Sequence, residues 1–188
     1  MMERRTTATQ FRAAETDGAK YLEGYFSVFG SNYHLWNGAT ESIDPHAFDE
    51  AVANDDVRAL INHDTTLVLG RTKSGTLELR VDDHGLWGRI RINDHDTDAM
   101  NLWERVQRGD VDQCSFGFDI LEEETEYRED GTIHWTVKRT KLYEVSPCTF
   151  PAYEETSLSA RKAEAENTKK RQFDAFKIKN EARFAKWH

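Results

Sequence analysis

Cysteine is scarce in this chain, with only Cys114 and Cys148 among 188 residues. Two thiols make neither the disulfide framework of a small secreted domain nor, by themselves, a zinc site, so a reducing cytosol is the expected setting. Long apolar runs are missing too. No stretch approaches the ~18 residues a membrane helix needs, and Met1-Met2-Glu3-Arg4-Arg5-Thr6-Thr7 lacks the apolar centre of a secretory signal. No membrane partner is therefore expected. A Gly-rich phosphate loop and an H-E-x-x-H pair are also lacking. Asp94-x-Asp96-x-Asp98 opens like a calcium loop, but Ala99 stands where the glycine belongs and Arg105 where the bidentate glutamate belongs. Those acids read as a helix cap. No spacing supports a metal site, and no cofactor is expected.

What is present is a polar but globular composition, 38% hydrophobic and 31% charged, with a net charge of −9. The charge is uneven. Residues 161–188 carry nine Lys/Arg against four Asp/Glu, a net +5, which leaves −14 on residues 1–160. An acidic body argues against nucleic acid as a partner. A basic end on an acidic body reads as a separable segment. Three regions follow: a flexible N-terminal arm or lead-in strand at 1–20, a body at 21–158, and a basic, helical or disordered tail at 159–188. The tail carries Phe173, Phe176, Phe184 and Trp187.

Along the body, Tyr21 to Gly30 reads as a first strand, with Gly24 and Gly30 permitting a bulge and a turn. Asp44-Pro45 reads as the cap and first position of a short helix whose apolar face is Phe48, Ala51 and Val52. Leu77, Leu79 and Val81 alternate in one strand, and Asp82-Asp83-His84-Gly85 turns it into a second, Leu86 to Ile92. The clearest helix is Asp96 to Arg108, with Ala99, Leu102, Trp103 and Val106 on one face and Gly109 as its stop. A long hairpin follows, turning at Asp130-Gly131.

The stretch Asp112-Gln113-Cys114-Ser115-Phe116-Gly117-Phe118 sets one hydroxyl among large apolar residues. In an extended chain Phe116, Phe118 and Ile120 share one face, while Ser115 and Gly117 share the other. Gly117 would leave space beside Ser115 for another backbone or a substrate. Such a serine is a candidate nucleophile if a base and an orienting group exist elsewhere; the competing reading is a serine packed in a sheet. Of the seven histidines, His63 stands out, because it follows Ala59-Leu60-Ile61 at the edge of an apolar segment. A structural histidine is the alternative. Glu144, in Leu142-Tyr143-Glu144-Val145, is a carboxylate among apolar neighbours. There it is costly unless paired, and a histidine N–H would suit it; the alternative is an edge-strand glutamate reaching solvent. His134 and Asp64 are the next candidates for the third role. The nucleophile elbow G-x-S-x-G is half present, since Gln113 replaces its first glycine.

Taken in order, several blocks carry a family resemblance. They are Leu60-Ile61-Asn62-His63-Asp64, Leu69-Gly70-Arg71-Thr72, Gly75-Thr76-Leu77, Ser115-Phe116-Gly117-Phe118, Leu142-Tyr143-Glu144-Val145-Ser146-Pro147 and Pro151-Ala152-Tyr153. The set resembles the prohead (procapsid maturation) serine proteases of tailed bacteriophages, which are similar to herpesvirus assemblins. The resemblance covers roughly residues 20–160. It implies an α+β fold, with a mostly antiparallel, barrel-like sheet flanked by a few helices. It also implies endopeptidase activity with His63 and Ser115 as the nucleophilic pair and Glu144 at the matching third position. Substrates would be scaffold segments, the major capsid protein and the protease itself, cut inside the assembling procapsid in the host cytoplasm by what would be a homo-oligomer. The rival expectation is a catalytically silent scaffold or assembly protein with the same fold.

Overall fold

The computed structural model describes residues 2–8 and 11–150, together with positions 162, 165, 166 and 170. The chain falls into two compact units, Met1–Tyr153 and Glu154–His188. In the second, the four described positions are helical. The rest of the expected basic tail, its aromatic residues and the Pro151-Ala152-Tyr153 block lie outside the described residues.

The first unit is mostly β. Its elements in order are β1 (Glu3–Ala8), β2 (Arg12–Thr16), β3 (Ala19–Val28), β4 (Tyr33–Trp36), β5 (Ala39–Ile43), α1 (Asp49–Asn54), β6 (Arg58–Ile61) and β7 (Asp64–Arg71). Then come β8 (Leu77–Val81), β9 (Gly85–Arg91), α2 (Thr97–Arg108), β10 (Gln113–Tyr127) and β11 (Ile133–Cys148). One sheet runs β1-β10-β11-β5-β4 with β6 and β7 branching from β11; the other runs β2-β3-β9-β8. Seven of the nine pairings are antiparallel, and β11 pairs in parallel with both β5 and β6. Among the described residues no pairing closes either sheet into a barrel. The side chain of Arg5 on β1 does reach Glu41 on β5, two strands beyond its own neighbour, with Nε to Oε1 at 2.5 Å and both side chains buried.

Residues 1–20, expected as an arm or lead-in strand, carry two paired strands. β1 lies against β10 and β2 against β3. The expected first strand is thus the third, and it has its bulge between Tyr25 and Ser27. The helix expected from Asp44 starts later, at Asp49. Asp44 instead accepts from the backbone N–H of His46 at 2.9 Å, closing a turn, and bonds the ammonium of Lys138. That turn delivers Phe48 and Ala51 to the core.

α2 follows its sequence signals closely. Asp96 accepts from the N–H groups of Asp98 and Ala99, Gly109 ends the helix at φ 81°, and Ala99, Leu102, Trp103 and Val106 are buried. An aspartate cap of this kind contributes about 1 kcal/mol, and it is the role expected of the Asp94–Asp98 acids.

The core lies between the two sheets. Leu22, Phe26, Leu86 and Ile90 come from one, and Phe116, Phe118, Leu142 and Val145 from the other. Phe116 and Phe118 stack at 4.9 Å, and Phe48 meets Phe116 edge-on at 5.4 Å. β11 therefore has three neighbours: β10 along most of its length, β5 beside its first part through Ile133–Val137, and β6 beside Glu144 and Val145. This branching brings the β6–β7 hairpin next to the β10–β11 ladder.

Candidate active site

Asn62 and His63 are the two residues between β6 and β7, where Ile61 pairs with Asp64. Both have positive φ, 50° and 62°, as a tight type I′ hairpin requires. Asparagine tolerates that conformation, while at histidine it costs about 1–2 kcal/mol. The end of β11 and the residue after it hold the turn in place. Asn62 N–H donates to the Pro147 carbonyl at 3.1 Å, Asn62 Oδ1 accepts from Thr149 N–H at 2.9 Å, and His63 N–H donates to Ser146 Oγ at 3.3 Å.

The His63 ring turns toward β11, where Nδ1 meets Glu144 Oε1 at 2.6 Å. Glu144 is 4% exposed, so its charge is stripped of water and depends on partners. It has two: His63 on Oε1, and Ser146, whose hydroxyl donates to Oε2 at 2.6 Å. An ionised carboxylate only accepts, so Nδ1 carries the proton in this contact and the lone pair of a neutral ring sits on Nε2. Nε2 is buried and has no hydrogen-bond partner among the described residues.

Ser115 lies one strand away. It is the register partner of Ser146, and Gly117 is the partner of Glu144. Period-two alternation places Ser115, Gly117, Glu144 and Ser146 on one polar face of the ladder and Phe116 and Val145 on the core face. Ser115 is fully buried, and its hydroxyl donates to the Arg5 carbonyl of β1 at 2.9 Å; no hydrogen bond joins it to His63. The space that Gly117 opens is filled by the Glu144 carboxylate rather than by another backbone or an open cleft. Next to His63 is a cavity of about 450 Å³ lined by Arg4, Asn62, Cys148, Thr149 and Phe150.

Of the expected site residues, His63 and Glu144 are thus in direct contact, and Ser115 stands on the adjoining strand without a bond to either. The two reserve candidates are engaged elsewhere. His134 lies between the hydroxyls of Thr40 and Ser42, each at 2.8 Å, and Asp64 accepts from Thr66. Sequence reasoning missed Asn62 and Ser146. An Asn in a two-residue gap between apolar and polar runs signals such a turn, and Ser146 stands two residues from Glu144, hence on its face of the strand.

The sequence profile of the caudovirus prohead serine proteases matches residues 7–171, a span holding His63, Ser115 and Glu144. The "Prohead protease" of Enterobacteria phage HK97 is 32% identical over 145 residues, which cover 76% of this chain and 60% of that protein. No solved structure matches the chain. With a profile that spans both strands of the polar ladder and the histidine hairpin beside them, the chain belongs to the caudovirus prohead serine protease family.

Proposed function

We propose that the chain is a serine endopeptidase of phage procapsid maturation, with Ser115 as nucleophile, His63 as general base and Glu144 as the acid that orients His63. The observation that carries this reading is the buried His63–Glu144 contact of 2.6 Å, which leaves Nε2 unpartnered and able to accept a proton. Rotation of the Ser115 side chain away from the Arg5 carbonyl would present Oγ for attack. Oγ then bonds the peptide carbonyl carbon while its proton passes to Nε2. The imidazolium, stabilised by Glu144, returns that proton to the leaving amine as the C–N bond breaks. Water repeats the cycle on the acyl-serine and frees the enzyme. The cavity beside His63 is large enough for substrate side chains.

The substrates proposed are scaffold segments, the major capsid protein and the chain itself, cut within the assembling procapsid by a homo-oligomer; membership of the prohead protease family supports this setting. The barrel-like curl of the β1-to-β5 sheet is part of the same reading, supported by the Arg5–Glu41 contact that spans it. A silent assembly role is the second reading. It is favoured by one observation, the complete burial of a Ser115 hydroxyl already bonded to Arg5.

Co-expression with the capsid protein, followed by mass mapping of new termini, separates the two. Processing by wild type and none by Ser115→Ala supports the protease. Intact capsid protein with both chains, assembled normally, supports the silent role.

A further inference from the structure

Ser146 is fully buried and its hydroxyl serves two groups at once. It donates to Glu144 Oε2 at 2.6 Å and accepts from His63 N–H at 3.3 Å. The directions follow from chemistry. A backbone N–H only donates and a carboxylate only accepts, so the single hydroxyl proton is committed to Glu144. Each Glu144 oxygen then has its own partner, Ser146 on Oε2 and His63 on Oε1. The terminal carboxylate torsion of a glutamate is otherwise broad and nearly two-fold; two partners on opposite oxygens fix its plane. The second bond of Ser146 holds the N–H of a histidine whose own backbone lies at φ 62°.

We propose that Ser146 is a positioning residue: one hydroxyl fixes both the carboxylate that orients the His63 ring and the backbone that carries it. The role rests on reading His63 and Glu144 as base and orienting acid. Ser146 acts through those two residues and touches no reacting atom. Besides Glu144, Arg4 on β1 and Cys148 on β11 are the charged or titratable groups that line the cavity with His63 among the described residues. Asp64, next in sequence, is turned to Thr66.

The full chain carries the test, with two readouts: the rate at which a fluorophosphonate modifies Ser115 across pH, and an NMR titration of the His63 imidazole, which needs no activity. Ser146→Ala is expected to lower the plateau rate roughly ten- to hundredfold, the range for losing a buried hydrogen bond to a charged group. It should also move the His63 titration and the acidic limb of labelling to higher pH. Without the Ser146 donor, more of the Glu144 charge falls on the imidazole and favours its protonated form. Ser146→Thr keeps the oxygen and should restore both.

A folded Ser146→Ala chain that labels and titrates like wild type overturns the proposal. So does a rate loss that Ser146→Thr leaves unrestored while the His63 titration stays put, since that marks a packing role only. If Ser146→Ala does not fold, Ser146→Cys, similar in size but a weak donor, carries the same comparison. A wild-type chain that never labels, with a His63 titration that still responds to Ser146→Ala, overturns the protease reading and supports the positioning contact.

Discussion

Gly117 and Glu144 face each other across β10 and β11, and the Glu144 carboxylate fills the space that a side chain at 117 would need. A methyl group there would collide with Oε1, the oxygen that holds His63. Gly117→Ala is therefore expected to cost about 1–3 kcal/mol of stability through overpacking. It should also lower the labelling rate of Ser115 at least roughly tenfold, since each decade needs only about 1.4 kcal/mol of transition-state stabilisation. Chemical denaturation and labelling kinetics measure the two effects. Normal labelling would show that the carboxylate is free to move without consequence.

Glu144→Gln keeps the shape and removes the charge. Loss of the orienting acid costs on the order of 10⁴ in kcat in the best-studied triad, and a loss of that order is expected in the processing rate. A variant within a few-fold of wild type would take the orienting role away from Glu144.

The helices and hairpins whose signals are local were legible in the sequence. α2 shows its buried face, cap and stop between Asp96 and Gly109, and the turns at Asp82–Gly85 and Asp130-Gly131 sit between alternating runs. The separation of Phe116 and Phe118 from Ser115 and Gly117 followed from period two alone. What stayed hidden depends on distant partners. β1 is a polar run that becomes a strand because Thr6 pairs with Ser115 and Arg5 is buried against Glu41. Asp44 offers the same signal to a helix and to a turn, and contacts with His46 and Lys138 decide for the turn. The site itself arises from the parallel pairing of β6 with β11, which no local pattern announces.

Arg5 and Glu41 form a buried ion pair that holds β1 in place beneath the Ser115 hydroxyl. Burial by itself would lower the Arg5 pKa, but the Glu41 and Glu3 carboxylates outweigh it and hold the guanidinium above its usual value. Arg5→Met alone leaves the buried Glu41 and Glu3 carboxylates without its guanidinium and should cost about 3–5 kcal/mol, whereas Arg5→Met combined with Glu41→Leu should recover part of it. A double-mutant cycle by denaturant unfolding measures this. Equal losses in the single and double variants would contradict it.

Asp56 ties the base of the His63 hairpin. Its carboxylate takes both a bond of 2.7 Å and a shorter one from Arg71. Arg71, with further help from Arg58 and Lys73, lowers its pKa from 3.8 to about 2. A folded pKa below the unfolded one means the contribution is fully present above pH about 4 and is lost as pH falls through about 2. Asp56→Asn should therefore flatten the stability–pH curve between those values and lower stability at neutral pH by the same small amount, small because the pair is partly solvent-exposed and screened. Thermal melts from pH 2 to pH 7 read this out. An acid limb identical to wild type would assign it to other carboxylates.

The most direct measurement of the central claim maps by mass spectrometry which residue a fluorophosphonate modifies, in wild type and in His63→Ala. The predicted result is modification at Ser115 that drops by several orders of magnitude, on the order of 10⁶ at the limit, when the base is removed. Modification at Ser146, or a Ser115 rate that His63→Ala leaves unchanged, would contradict the assignment of Ser115 as nucleophile and His63 as its base.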